Sequence, residues 1–312
     1  MAPRGSLPFD DGKLFLTDGG METVLILQDQ ELPSFATFPL LESEAGRAAL
    51  RDYYEPYLAL ARRRGIGFVL GAGTWRASAD WGAGLGYDDA AMRGVNRRAL
   101  AFVDDLRASL PADQPAVLLE APVGPRSDAY APSALMGASE AQRYHETQFR
   151  TLAETPVELL TALTLSYADE AIGMTRAAVA AGLPIVISFT LETDGHLPSG
   201  QTLRQAIERV DAETDGAPVF YMINCALPLH FAGALADAGP WRRRLRGLRA
   251  NASQRSHAEL DEADELDDGD PADLAARHAD LRDVLPDLAV LGGCCGTDIR
   301  HVTAMADAWL AG

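Results

Sequence analysis

Lysine is almost absent from this chain: Lys13 is the one lysine among 312 residues, and arginine supplies the rest of the basic charge. Cysteine is scarce as well, limited to Cys225, Cys294 and Cys295. An odd count leaves one thiol over in any disulfide scheme, which disfavours a stapled secreted scaffold and suits a reducing compartment. The three thiols therefore read as candidate metal ligands. Positive charge is in deficit overall, with a formal net charge of -18. Such a surface repels phosphate backbones and anionic lipid, which argues against nucleic acid or a membrane as partner. No apolar run approaches the roughly 18 to 20 residues of a membrane span, and the opening MAPRGSLPFDDGK lacks the apolar core of a secretory signal. The expectation is a soluble, cytoplasmic protein with small-molecule partners.

Apolar residues make up 47% of the chain, enough for a large core. The length lies within the range of a single α/β barrel. Short β-type runs alternate with longer stretches of helical period, the pattern of repeated βα units. Eight such runs are LFLTD (Leu14 to Asp18), GFVLGA (Gly67 to Ala72), AVLLEA (Ala116 to Ala121), VELLTAL (Val157 to Leu163), PIVISFT (Pro184 to Thr190), VFYMINC (Val219 to Cys225), LRGLRAN (Leu245 to Asn251) and DLAVLGG (Asp287 to Gly293). LRGLRAN is the weakest, because its arginines and glycine suit a helix or loop equally. RAALRDYYEPYLALARRRG reads as a helix ended by Gly65, and DEAIGMTRAAVAAG as one ended by Gly182. Eight parallel strands favour a closed (β/α)8 TIM barrel spanning residues 1–312 as one domain. The acidic stretch of about 256–272, densest from Glu259 to Asp270, reads as a solvated insertion near the active-site end.

Reactive groups in such barrels gather at the C-terminal ends of the strands. Those ends present Asp18, Gly19 and Gly20 after the first run, Thr74 beyond the second, Glu120 in the third, Asn224 and Cys225 at the sixth, and Cys294 and Cys295 after the eighth. All three cysteines thus fall at one end. Three thiolates with one open position are a known arrangement for catalytic zinc, whereas structural zinc usually has four protein ligands. Neighbouring cysteines on a regular strand face opposite sides, so sharing one ion needs a turn, which glycines at 292, 293 and 296 would permit. A buried core thiol at Cys225 beside a redox-active Cys294, Cys295 pair is the alternative. A thiolate-rich site prefers zinc, and a substrate thiol entering the fourth position would lose its proton there.

GGCCGT at Gly292 to Thr297, INC at Ile223 to Cys225 and TDGGMET at Thr17 to Thr23 resemble the homocysteine S-methyltransferase family. GAGTWRAS at Gly71 to Ser78, EAPVGP at Glu120 to Pro125 and SGQTL at Ser199 to Leu203 extend the resemblance over nearly the whole chain. It implies a zinc site made by Cys225, Cys294 and Cys295 that activates the thiol of homocysteine for attack on an activated methyl group, giving methionine. The compact length, without a folate or cobalamin module, points to a sulfonium donor. Asp18 would bind a cationic donor or position the acceptor, with Glu22 and Thr74 as further candidates of that kind and Asn224 orienting the loop. His145, His196 and His230 read as ordinary core or surface residues and are left out of the zinc site.

The match fails at one place. The family carries a Glu-Thr pair after the fourth strand, and its carboxylate is expected to help hold the homocysteine ammonium. Here TALTLS puts Leu163 at the acidic position and keeps Thr164. Leucine cannot pair with an ammonium, and an uncompensated charge in a closed site is costly. Either another acid such as Glu120 or Glu192 replaces it, or the acceptor is a different thiol. The seventh-strand region survives only as ANAS at Ala250 to Ser253. A zinc-binding barrel that has lost catalysis is the non-enzymatic alternative.

Overall fold

In the computed structural model, which describes residues 7–9, 12–130, 135–261 and 266–311, every one of the eight apolar runs contributes a strand. They are β1 (Phe15–Leu16), β2 (Gly67–Gly71), β3 (Val117–Val123), β4 (Leu159–Leu165), β5 (Ile185–Phe189), β6 (Tyr221–Asn224), β7 (Leu245–Ala250) and β8 (Val290–Gly293). Each pairs in parallel with its neighbour, and β8 returns to β1 to close the barrel. Helices fill the connections, so both faces of the sheet are covered and the strands read as continuous apolar runs. Among the described residues no helix is long and apolar enough to cross a membrane.

The longest helix, Glu44–Arg64, shows how the local signals act. Ser43 caps its start by accepting from the Gly46 amide at 2.9 Å, and Gly65 ends it in the left-handed region at φ 66°. Tyr53, Tyr54 and Tyr57 lie on its buried side, where Tyr53 reaches the end of β1. At the opposite, N-terminal mouth, Phe9 plugs the barrel edge-to-face against Phe15 and Phe220, with ring centroids 5.3 and 5.1 Å apart. Aromatic rings thus fill the barrel at this end, and the cavity that holds the cysteines opens at the C-terminal end.

Three details refine the sequence reading. The seventh run, the weakest of the eight, is a strand with one register shift against β6; Arg249 turns into the barrel and is paired there, so its charge does not break the element. The fourth strand continues to Leu165, with a register shift between Ala162 and Leu165 that sets Leu163 and Thr164 out of the regular ladder. Within the acidic stretch, residues 262–265 lie outside the described residues; His257–Asp261 form a short helix and Asp270 caps the helix Pro271–Asp280.

Candidate active site

Cys225 follows β6, and Cys294 and Cys295 follow β8. Their sulfurs all lie within 4.8 Å of one another. Cys225 Sγ is 4.0 Å from Cys295 Sγ and is joined to Cys294 Sγ as a disulfide. That pairing departs from the expectation that these thiols would not be stapled. A disulfide offers no thiolate, so the metal-binding form has Cys225 and Cys294 reduced. Two ligands of one tetrahedral zinc with Zn–S near 2.3 Å stand about 3.8 Å apart, a spacing close to that of the Cys225 and Cys295 sulfurs. The donor set fits a thiophilic ion. Among the described residues no histidine or carboxylate joins this group.

The backbone reaches this arrangement differently from the glycine-freedom argument. Gly296 takes a left-handed φ of 77°, and Cys225, although not a glycine, also sits in the left-handed region at φ 52°. Gly19 and Gly20 are required for close approach. A Cβ on Gly20 would stand 2.6 Å from the Cys294 carbonyl oxygen, and one on Gly19 2.7 Å from that of Thr297. The Cys225 amide donates to Arg249 O at 3.1 Å and the Cys294 amide to Ala250 O at 2.8 Å, so β7 holds both cysteine loops.

Asn224 organises the space between β4, β5 and β6. Its Oδ1 accepts from the Thr164 amide at 2.9 Å and from Ser188 Oγ at 2.6 Å. Its Nδ2 donates to Thr164 Oγ1 at 2.8 Å and to Cys225 Sγ at 3.3 Å, and lies 3.9 Å from Cys294 Sγ. Thr164 is a β-branched residue held at φ 64°, a conformation that costs on the order of 1 to 3 kcal/mol and persists only where its surroundings over-determine it. The side-chain amide supplies that restraint and also points an N–H at the sulfurs.

Arg249 was missed by sequence reasoning, where it counted only as an interruption of a strand. Its Nη2 donates to Asp18 Oδ1 at 2.6 Å and its Nε to Gly293 O at 3.1 Å, while Asp18 Oδ2 accepts from Tyr53 OH at 3.0 Å. The pair therefore ties the end of β1 to the start of the Cys294 loop. Burial pushes the Asp18 carboxyl up, against the pull of Arg249 and Tyr53. Partly buried Glu22 is pushed up to about 7, chiefly by burial, with the Asp18 charge adding to the rise.

These groups surround one cavity of about 540 Å³. It is lined by the three cysteines, Asp18, Gly19, Gly20, Glu22, Leu163, Thr164, Asn224 and Arg249 from the elements above, and also by Trp75, Arg76, Asp128, Tyr130, His257 and Asp267. Two of the expected residues are placed elsewhere. Thr74 is fully buried and donates to Pro122 O at 2.7 Å. Glu120 lies within the barrel, accepting from Thr161 Oγ1, and burial raises its carboxyl to about 6. Glu192 meets the His257 ring, with Oε1 3.3 Å from Nδ1. His257, which lay in the acidic stretch with no motif to mark it, has Nε2 2.6 Å from Cys225 O and stacks on Tyr130. His145 is buried against Glu170, His196 sits in a loop beside Asp194, and His230 lies in the short helix Pro228–Phe231 beside Gln254 O.

Residues 15–309 match the family model described as Homocysteine S-methyltransferase. Among solved structures, the oxidized form of the Escherichia coli homocysteine methyltransferase MmuM is similar with 21% identity and a TM-score of 0.75, covering 96% of this chain and 97% of that one. Its metallated form aligns at 20% identity and a TM-score of 0.72 over 96% and 97% of the two chains. No curated protein matches the sequence.

Proposed function

We propose that this chain, which belongs to the homocysteine S-methyltransferase family and is a thiol S-methyltransferase by that membership, works with zinc held by Cys225, Cys294 and Cys295. The observation that carries the metal is the convergence of the three sulfurs within 4.8 Å on one wall of the cavity. Zinc, when bound, would keep an acceptor sulfur deprotonated at neutral pH, where a free thiol with a pKa near about 8.5 is mostly protonated. The acceptor sulfur then attacks the donor methyl carbon in line with the bond to its leaving group. The S–C bond to the acceptor forms as the bond to a sulfonium donor breaks, and the donor leaves as a neutral thioether.

The chain's own residues serve this reaction by position. Asn224 directs an N–H toward the cysteine sulfurs and fixes Thr164. The Arg249 and Asp18 pair holds the loops that carry the cysteines. With Asp18 paired to Arg249, the acids Glu22, Asp128 and Asp267 outnumber Arg76 on the rest of the lining, which favours a cationic donor such as S-methylmethionine or S-adenosylmethionine. Holding donor and acceptor together in one cavity makes the step effectively unimolecular.

Homocysteine, giving methionine, is the first acceptor to test. A different thiol is the second reading, motivated by Leu163 in the cavity wall. The test is mass-spectrometric detection of methyl transfer by reduced, zinc-loaded protein. Homocysteine is offered with S-methylmethionine, S-adenosylmethionine and betaine in separate reactions. Zinc-dependent methionine formation, lost in Cys295→Ser, is the expected result; full activity in Cys295→Ser would overturn the assignment.

A further inference from the structure

Arg76 follows Trp75 just beyond β2 and lines the same cavity as the cysteines. It is only 8% exposed, yet its Nε and Nη1 are buried without a hydrogen-bond partner. Its flat faces are already occupied, because the guanidinium carbon lies 4.1 Å from the Trp75 ring centre and 3.6 Å from that of Trp81. Stacking uses the faces of a guanidinium and leaves its N–H edge to bind. Asp128, Glu22 and Tyr130 act on it through space, and burial lowers its pKa to about 10, so it stays cationic at neutral pH. A buried cation with unspent donors is unfavourable until an anion meets it. A carboxylate is the planar anion that can accept from Nε or from Nη1, in either case with the neighbouring Nη2 as the second prong.

The surroundings indicate which ligand carries that carboxylate. Trp75 Nε1 donates to Leu163 O at 3.4 Å, so the stacked pair stands against the bulge of β4 that presents Leu163 and Thr164 to the cavity. This corner offers a leucine side chain and a cation. An ammonium finds no partner in Leu163 and is repelled by Arg76, while a carboxylate is attracted. We propose that Arg76 binds the carboxylate of the thiol acceptor, and that the acceptor class is mercaptocarboxylates held without an ammonium contact. The inference rests on the thiol chemistry proposed above. It assigns the cavity's acids to the donor and Arg76 to the acceptor.

Four thiols of matched length separate the possibilities: homocysteine, 4-mercaptobutanoate, 3-mercaptopropan-1-ol and 3-mercaptopropylamine. Their binding to reduced, zinc-loaded protein is measured by calorimetry without a methyl donor. The carboxylate should bind about 10- to 100-fold more tightly than the alcohol, the worth of a charged hydrogen-bonded contact. The amine should bind most weakly. Arg76→Met should abolish the difference between carboxylate and alcohol while leaving alcohol binding nearly unchanged. Leu163→Glu should improve homocysteine relative to 4-mercaptobutanoate. Equal binding of carboxylate and alcohol by the unaltered protein, or a preference that survives Arg76→Met, overturns the role of Arg76. The first comparison needs no variant to fold. Failure of every thiol, the alcohol included, to bind zinc-loaded protein overturns the metal and thiol reading itself, and this inference with it.

Discussion

Replacing Arg249 by methionine keeps much of its volume and removes its charge, leaving Asp18 buried with Tyr53 as its remaining side-chain partner. Side chains of the pair are 10% and 6% exposed, so solvent screens the loss little. Breaking a buried ion pair from one side typically costs about 3 to 5 kcal/mol. Asp18 has an escape, since it can bind a proton. At pH 7 protonating a carboxyl whose unfolded pKa is about 3.9 costs roughly 4 kcal/mol, from 1.36 kcal/mol per pH unit. That sets a ceiling on the charge penalty. At pH 5 the same ceiling falls to roughly 1.5 kcal/mol. Arg249→Met should therefore be destabilised by about 4 kcal/mol at pH 7 and markedly less at pH 5. Asp18→Asn combined with Arg249→Met should recover most of the deficit, because neither charge is then stranded. Urea unfolding of the reduced, metal-free protein, followed by circular dichroism at both pH values, measures all of this. A loss under about 1 kcal/mol at pH 7, or one that does not change with pH, would refute the reasoning.

Asn224→Ala removes the amide that faces the cysteine sulfurs and pins Thr164. Zinc affinity should fall about 10- to 100-fold in a competition titration against a chromophoric chelator, and an unchanged affinity would exclude the positioning role. His278 is fully buried, with Nδ1 bonded to Leu274 O at 2.8 Å and Nε2 without a partner, and burial lowers its pKa to about 4. Between pH 6.5 and 4 the unfolded chain takes up a proton that the folded chain refuses, so stability falls as pH falls through that window, by up to about 3 kcal/mol. His278→Leu should flatten this part of the profile in unfolding experiments, and an identical slope in both proteins would remove His278 as its source.

Much of the barrel could be read from periodicity alone, since burial on both faces turns each strand into an apolar run such as PIVISFT. LRGLRAN resisted because a strand bearing an arginine is stable only when a partner waits inside the barrel, and Asp18 is 231 residues away in the chain. Arg76 stood inside GAGTWRAS, where Thr74 drew the attention, and its unpaired donors show only once Trp81 and the cavity are in place. His257 lies in no motif that announces chemistry. Glu120 and Thr74 do lie near strand ends, but neither lines the cavity: Thr74 donates to Pro122 O, and Glu120 accepts from Thr161 Oγ1 through one oxygen.

The sequence by itself determined the alternation of strand and helix, the clustering of all the cysteines at one end, and the leucine at position 163. Those are properties of residue type and spacing, which local sterics and burial translate into structure directly. Only the tertiary structure decided that Asn224 would face both the cysteine sulfurs and Thr164, that Arg249 would neutralise Asp18, and that Arg76 would stand between two indoles with its N–H edge unspent. Closing eight strands into a ring brings residues hundreds of positions apart within hydrogen-bond reach in a water-poor interior. There charge and donor count are set by neighbours across the barrel and not by neighbours along the chain.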